Sequence, residues 1–184
     1  MKNVKFLLIA LSFFALFAIG CLTFEKKEYT FKFTGDNSGV LTIKYINLIS
    51  IKDDTVDISA KDFDELISTY ITGDQIEKDY PNAANIDKRL FEENGVLCAE
   101  LKIEFLDLAD VRLFQLSKKE PFMYSLCGFI DSENYESSNG EYGGENMPVV
   151  FWSHKLKELK LTTLGTPPDE SSVSLLEEYK KWKE

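Results

Sequence analysis

The clearest structural signal in the chain is an antiparallel hairpin over residues 85–106. Its second strand, residues 96–106, alternates between two faces. The apolar positions are Leu97, Ala99, Leu101, Ile103 and Phe105, with Glu100, Lys102 and Glu104 between them. Such alternation is typical of a strand with one buried face. Asn94-Gly95, between the strands over residues 85–92 and 96–106, favours a tight two-residue turn because both residues tolerate positive φ. The fold must therefore include an antiparallel sheet with one apolar face.

Other segments extend this sheet and add helices. Residues 28–34 and 40–49 alternate in the same way around turn residues 35–39, which predicts a second hairpin. Further strands are expected at 122–130, 148–152 and 159–164. Apolar residues with helical spacing predict a packed helix at about 61–72, with Ser59 as its cap, and a C-terminal helix from about Val173. Hairpins and helices in separate runs predict an α+β fold with an antiparallel sheet.

The first 21 residues differ from the rest of the chain. Lys2 and Lys5 precede an apolar run from Phe6 to Ile19, and the composition turns polar soon after Gly20. This order is typical of a cleaved secretory signal. An uncleaved membrane anchor is the alternative, but a span needs about 20 apolar residues. We therefore expect a signal peptide at 1–20, a short tether at 21–27 and a single globular domain at 28–184.

The end of this segment, Ala18-Ile19-Gly20-Cys21, resembles the lipobox of bacterial lipoproteins. Leu is commoner at the Ala18 position, and the resemblance covers only these residues. It implies that Cys21 receives a diacylglyceryl group and that signal peptidase II cleaves between Gly20 and Cys21. The freed amine would often be acylated, for example with palmitate. The alternative is an ordinary signal peptide with a coincidental cysteine.

The same resemblance implies a location. A lipid on Cys21 would hold the protein at the cell membrane. In a cell with two membranes, the outer membrane facing the periplasm is expected, because Leu22 stands where some lipoproteins carry the Asp linked to inner-membrane retention.

The charge of the chain restricts its partners. Cleavage after Gly20 removes two of the 21 basic residues and none of the 31 acidic ones, which leaves 164 residues with a net charge of −12. Such a surface repels nucleic acid and anionic lipid headgroups. The simpler explanation, which we favour, is that the charge keeps the domain soluble. We expect no nucleic-acid partner, and membrane contact through the lipid alone.

Two cysteines remain in the predicted domain, Cys98 and Cys127. An oxidising envelope permits a disulfide between them, but the distance between their Cα atoms decides whether it forms. Two buried free thiols are the alternative. Cys98 falls on the polar side of strand 96–106, so we expect it near the surface unless another element covers it.

Common catalytic and metal-binding motifs are absent from the sequence. It has no P-loop, no G-x-G-x-x-G after a strand, no G-x-S-x-G and no H-E-x-x-H. His154 is the single histidine, and one histidine is too few for a His-based metal site. Nothing in the sequence around Cys98 or Cys127 indicates that His154 activates either of them as a nucleophile. We assign no catalytic residue, metal or cofactor. The expected function is a non-catalytic module that binds an envelope protein or glycan.

The alternative function is an envelope hydrolase that uses carboxylates from an acidic loop at residues 131–147. The carboxylates of this loop are Asp131, Glu133, Glu136, Glu141 and Glu145. Five carboxylates could surround calcium, although their spacing does not match an EF-hand. Long loops without secondary structure are either functional or disordered. We expect a mobile segment in which Tyr135 and Tyr142 anchor a partner, against an idle hairpin extension.

Overall fold

The computed structural model describes residues 22–126 and 133–184. The strands are β1 (Leu22–Phe33), β2 (Gly39–Ile51), β3 (Asn85–Glu93), β4 (Val96–Phe105), β5 (Leu113–Phe114), β6 (Phe122–Ser125), β7 (Asn134–Ser138), β8 (Glu141–Tyr142), β9 (Val149–Trp152), β10 (Glu158–Leu164) and β11 (Ser172–Ser174). The helices are α1 (Ser59–Glu65), α2 (Gln75–Asp79) and α3 (Leu176–Lys183). A π-helical turn, Leu66–Ile71, continues α1, and a 3₁₀ turn, Leu108–Val111, precedes β5. The predicted α+β class is confirmed, including the packed helix and the C-terminal helix.

The strands form two antiparallel sheets. The larger has the order β3-β4-β2-β1-β10-β7, with β11 paired to the end of β2, and the smaller has the order β5-β6-β9-β8. Both predicted hairpins are confirmed, since β1 pairs with β2 and β3 pairs with β4. Asn94 and Gly95 adopt φ values of 52° and 78°, as the tight turn requires.

The tether predicted at 21–27 is wrong for the described residues, because β1 begins at Leu22. Leu22 pairs with Ser50 and Lys27 pairs with Tyr45 on β2. The charged run from Glu25 to Glu28 hides the strand signal in the sequence. Leu22 and Phe24 nevertheless pack against a buried apolar cluster, which favours a strand over a free tether. Leu22 is therefore already part of the sheet.

One face of the large sheet carries two apolar clusters. The first lies between that sheet and the small sheet and includes Phe31, Ile103 and Trp152. The second lies between the far end of the sheet and the helices, and it includes Phe63, Leu97 and Tyr179. The alternation of β4 supplies both, because its odd-numbered residues all face this side.

The predicted helix at 61–72 is confirmed, but its ends differ from the expectation. Ser59 is the first helical residue and does not cap the helix with its side chain; its backbone N–H donates to Asp57 Oδ1 at 2.9 Å. The C-terminal turn widens into π-helical geometry, where the Thr72 N–H donates to the Ile67 carbonyl at 2.8 Å. The C-terminal helix begins at Leu176, since Val173 lies in β11.

The segment expected to be a mobile loop instead joins the two sheets. Residues 131 and 132 lie outside the described ranges, but the rest contains β7 in the large sheet and β8 in the small one. Between these strands, the Asn139 Oδ1 atom accepts hydrogen bonds from Trp152 Nε1 at 2.9 Å and from the Lys160 N–H at 2.7 Å. The expectation of a structureless loop is therefore wrong. The strand pairing and the hydrogen bonds of Asn139 order this segment despite its low content of apolar residues.

Ile103 is fully buried, and we predict that truncating its side chain will destabilise the protein. Ile103→Ala removes packed methyl and methylene groups and should lower the free energy of unfolding by roughly 2–5 kcal/mol in urea titrations. Lys102→Ala on the exposed face is the matched control and should change it by no more than about 0.5 kcal/mol. Equal effects of the two substitutions would contradict the assignment of the buried face.

Candidate functional site

A buried ion pair joins Lys27 of β1 to Glu133, the residue before β7. Each side chain is only 8% exposed. Burying two charges costs free energy that is recovered only when both groups have good partners. The pair therefore constrains how the end of the large sheet can be built.

Lys27 faces the core because β1 alternates. Tyr29 and Phe31 lie on the buried side of the strand, and Lys27 shares their parity. Its Nζ atom lies 4.6 Å from the centroid of the Phe24 ring and 4.8 Å from that of Tyr45. Aromatic faces attract a cation at such distances. The ammonium group is thus held by rings as well as by the carboxylate.

Glu133 accepts hydrogen bonds from three side chains. Lys27 Nζ is one donor, the Tyr29 hydroxyl donates at 2.9 Å, and the fully buried Thr163 hydroxyl donates at 2.6 Å. Burial raises the pKa of Tyr29 well above its usual range, so its hydroxyl stays protonated as a donor. These contacts fix Glu133 at the edge of the core.

A pocket of about 320 Å³ lies beside Lys27, where the two apolar clusters meet. Most of its lining is apolar. The lining residues are Leu22, Thr23, Phe24, Lys27, Tyr45, Leu48, Leu66, Tyr70, Ile71, Ile76, Asp79, Ala99 and Leu101. Tyr45 and Tyr70 pack against both clusters. The volume and the lining are typical of a site for a small, largely apolar ligand.

The depth of the pocket follows from the burial of its lining. Leu48, Leu66 and Leu101 are buried, whereas Leu22 and Ile71 are half-buried. The buried residues form the floor and the half-buried ones form the mouth. The π-helical turn supplies Leu66, Tyr70 and Ile71, and turns of this type are frequent at functional sites.

Cys21, the predicted lipidation site, lies outside the described residues, and so does Gly20 on the other side of the predicted cleavage point. None of the helices described is long and apolar enough to cross a membrane. The lipid anchor remains a prediction from the sequence.

Cys98 is fully buried and has no disulfide partner among the described residues, so the expectation that it lies near the surface is wrong. Phe91 lies directly opposite it on β3, with Lys44 and Arg89 above the Phe91 ring, and this layer covers the polar face locally. Burial raises the pKa of the Cys98 thiol. Cys127 lies outside the described residues, and the disulfide between the two stays a prediction.

Tyr135 and Tyr142 are brought together by the connection between the sheets. Their rings stack with a centroid distance of 4.0 Å and an interplanar angle of 5°. Both are half-buried and pack against the first apolar cluster. Their partner-binding role stays a prediction, and the structure gives them a structural role as well.

The acidic residues of this segment do not converge. Glu133 faces the core, while Glu136 pairs with Lys26 on the opposite face at 2.9 Å, and Glu141 and Glu145 are exposed. Asp131 is outside the described ranges. Within residues 22–126 and 133–184, no group of three or more His, Cys, Asp or Glu side chains is arranged to hold a metal ion. His154 is exposed after the end of β9.

The sequence patterns described above do not predict the pocket or the buried ion pair. The alternation of β1, extended back to Lys27, would have placed that lysine on the buried side with Tyr29. Nothing in the sequence indicates that Glu133, more than 100 residues away, is its partner. Comparisons with protein-family models, curated proteins and solved structures return no match to this chain.

We predict that Glu133→Ala will destabilise the protein strongly. The substitution leaves the buried Lys27 without its counter-ion, which should cost roughly 3–5 kcal/mol of unfolding free energy. Glu136→Ala is the matched control, because it removes the exposed partner of the neighbouring Lys26 and should cost no more than about 1 kcal/mol. Urea unfolding measures both. Similar losses in the two variants would show that the Lys27 pair is no more important than a surface pair.

Proposed function

We propose that the protein is a lipid-anchored binding protein of the bacterial cell envelope, with the pocket beside Lys27 as its binding site. The observation that carries the binding role is the pocket itself. It combines an apolar floor with a small number of fixed polar groups, which is the usual construction of a site for a small ligand. The envelope location rests on the likeness of residues 18–21 to a lipobox.

The start of the fold supports the anchoring part of the proposal. Leu22 is already paired in the large sheet, so a lipid on Cys21 would be attached without an intervening tether. Neighbouring Cα atoms lie about 3.8 Å apart. The domain would then rest against the membrane surface, with its orientation limited by β1.

The charge arrangement favours binding over hydrolysis by the acidic segment. A carboxylate hydrolase needs two acids that flank one bond. Glu133 is instead neutralised by Lys27, and Glu136 points to the other face of the sheet. No observation on the described residues favours the hydrolase alternative. The stacked Tyr135 and Tyr142 are the proposed contact for an envelope protein or glycan.

We predict that Cys21→Ser will release the protein from membranes or block its processing. Two or more acyl chains give stable anchoring, and the variant cannot acquire the thioether-linked pair. Fractionation of cells, together with the intact mass of the protein, measures both effects. Cys98→Ala is the control, because it removes a buried thiol of β4 and leaves residues 18–21 unchanged. Unchanged membrane retention with normal cleavage in Cys21→Ser would contradict the anchor.

A further inference from the structure

We propose that the pocket binds the hydrocarbon chain of a neutral, single-chain amphiphile taken from the membrane. The inference deepens the proposed function and rests on it for the membrane source. Three features of the described residues indicate the ligand class: the size of the pocket, its charges and its position beside β1.

The size of the pocket fits one alkyl chain. A dry cavity of about 150 Å³ lined by aliphatic side chains and Phe holds one benzene molecule. The present pocket is about twice that volume, at 320 Å³, which corresponds to a chain of about ten to twelve carbon atoms. The floor formed by Leu48, Leu66 and Leu101 offers such a chain apolar contacts.

The charges of the pocket favour a neutral head group. Among the described lining residues, Lys27 is the one buried charge, and Glu133 already neutralises it. Asp79 is exposed at the rim and would repel a carboxylate head. The net charge of −12 on residues 21–184 acts in the same direction. A glycerol or similar uncharged head at the mouth meets none of this repulsion.

The position of the pocket gives it access to lipid. Leu22, Thr23 and Phe24 line it, and Leu22 is the residue after Cys21. An anchor at Cys21 would place these residues at the membrane surface. An alkyl chain could then pass from the bilayer to the pocket without crossing open water, where its exposure is unfavourable.

Photolabelling of the full-length lipidated protein in neutral phospholipid vesicles tests this proposal. The probe is a monoacylglycerol whose ten-carbon chain ends in a diazirine, and peptide mass spectrometry locates the label. We expect labelling within residues 66–71 and 97–101. Decanoic acid with the same diazirine should label about five-fold less, the factor expected for one unscreened like charge near an exposed carboxylate. Asp79→Asn should remove most of that difference.

Variants separate the pocket from other apolar surfaces. Ile71→Trp should reduce labelling of residues 97–101 to background, because the indole ring fills the mouth. Ala99→Leu fills the floor and provides a second variant if the first does not fold. Leu116→Trp is the control, since Leu116 is 76% exposed and outside the pocket. Labelling confined to exposed residues, or unaffected by Ile71→Trp and Ala99→Leu, would overturn the proposal.

Two further experiments complete the test. The first distinguishes an external amphiphile from the acyl groups of Cys21, and the second separates ligand binding from membrane anchoring. When the diazirine is carried on the acyl groups of Cys21 itself, pocket labelling would assign the site to the protein's own anchor and overturn an external ligand. The monoacylglycerol probe, supplied below its micellar concentration to the Cys21→Ser protein, tests binding without the anchor. Pocket labelling there supports the ligand class even if membrane anchoring fails.

Discussion

The buried pair of Lys27 and Glu133 is the interaction on which the rest of the structure depends. It ties β1 in the middle of the large sheet to the start of β7 at its edge. A lone charge at either position would be too costly to bury, so each residue requires the other. The hydroxyls of Tyr29 and Thr163 complete the site by donating to the same carboxylate. One polar cluster thus specifies how two distant parts of the chain meet.

The pocket is a consequence of that arrangement. The small sheet covers one part of the large sheet and the helices cover another, and Lys27 lines the pocket between the two apolar clusters. Tyr45 and Tyr70 line the seam and contact both clusters. The π-helical turn places Leu66 and Ile71 toward the gap. A cavity with an apolar floor and a satisfied charge beside it can take hydrocarbon without leaving a buried polar group unpaired.

Local patterns were enough to predict the framework but not the site. The alternation of residues 96–106, the Asn94-Gly95 turn and the helical spacing around Leu66 each depend on near neighbours, and each prediction is confirmed. The pairing of Lys27 with Glu133 depends on residues 106 positions apart, which periodicity does not report. The burial of Cys98 is not predictable from the sequence for the same reason, because Phe91, which lies opposite it, belongs to another strand. The strands of the acidic segment are not predictable from its loop-like composition, because β7 pairs with β10 and β8 pairs with β9.

A crystal structure of the lipidated protein, extracted from membranes in mild detergent and crystallised with decanoylglycerol, tests the central claim most directly. We expect elongated density in the pocket, with the chain between Leu66 and Leu101 and the glycerol head at the mouth near Asp79. The Lys27–Glu133 pair should be intact beside it. An empty or collapsed pocket, with the amphiphile instead on exposed apolar side chains such as Phe114 and Leu116, would contradict the account.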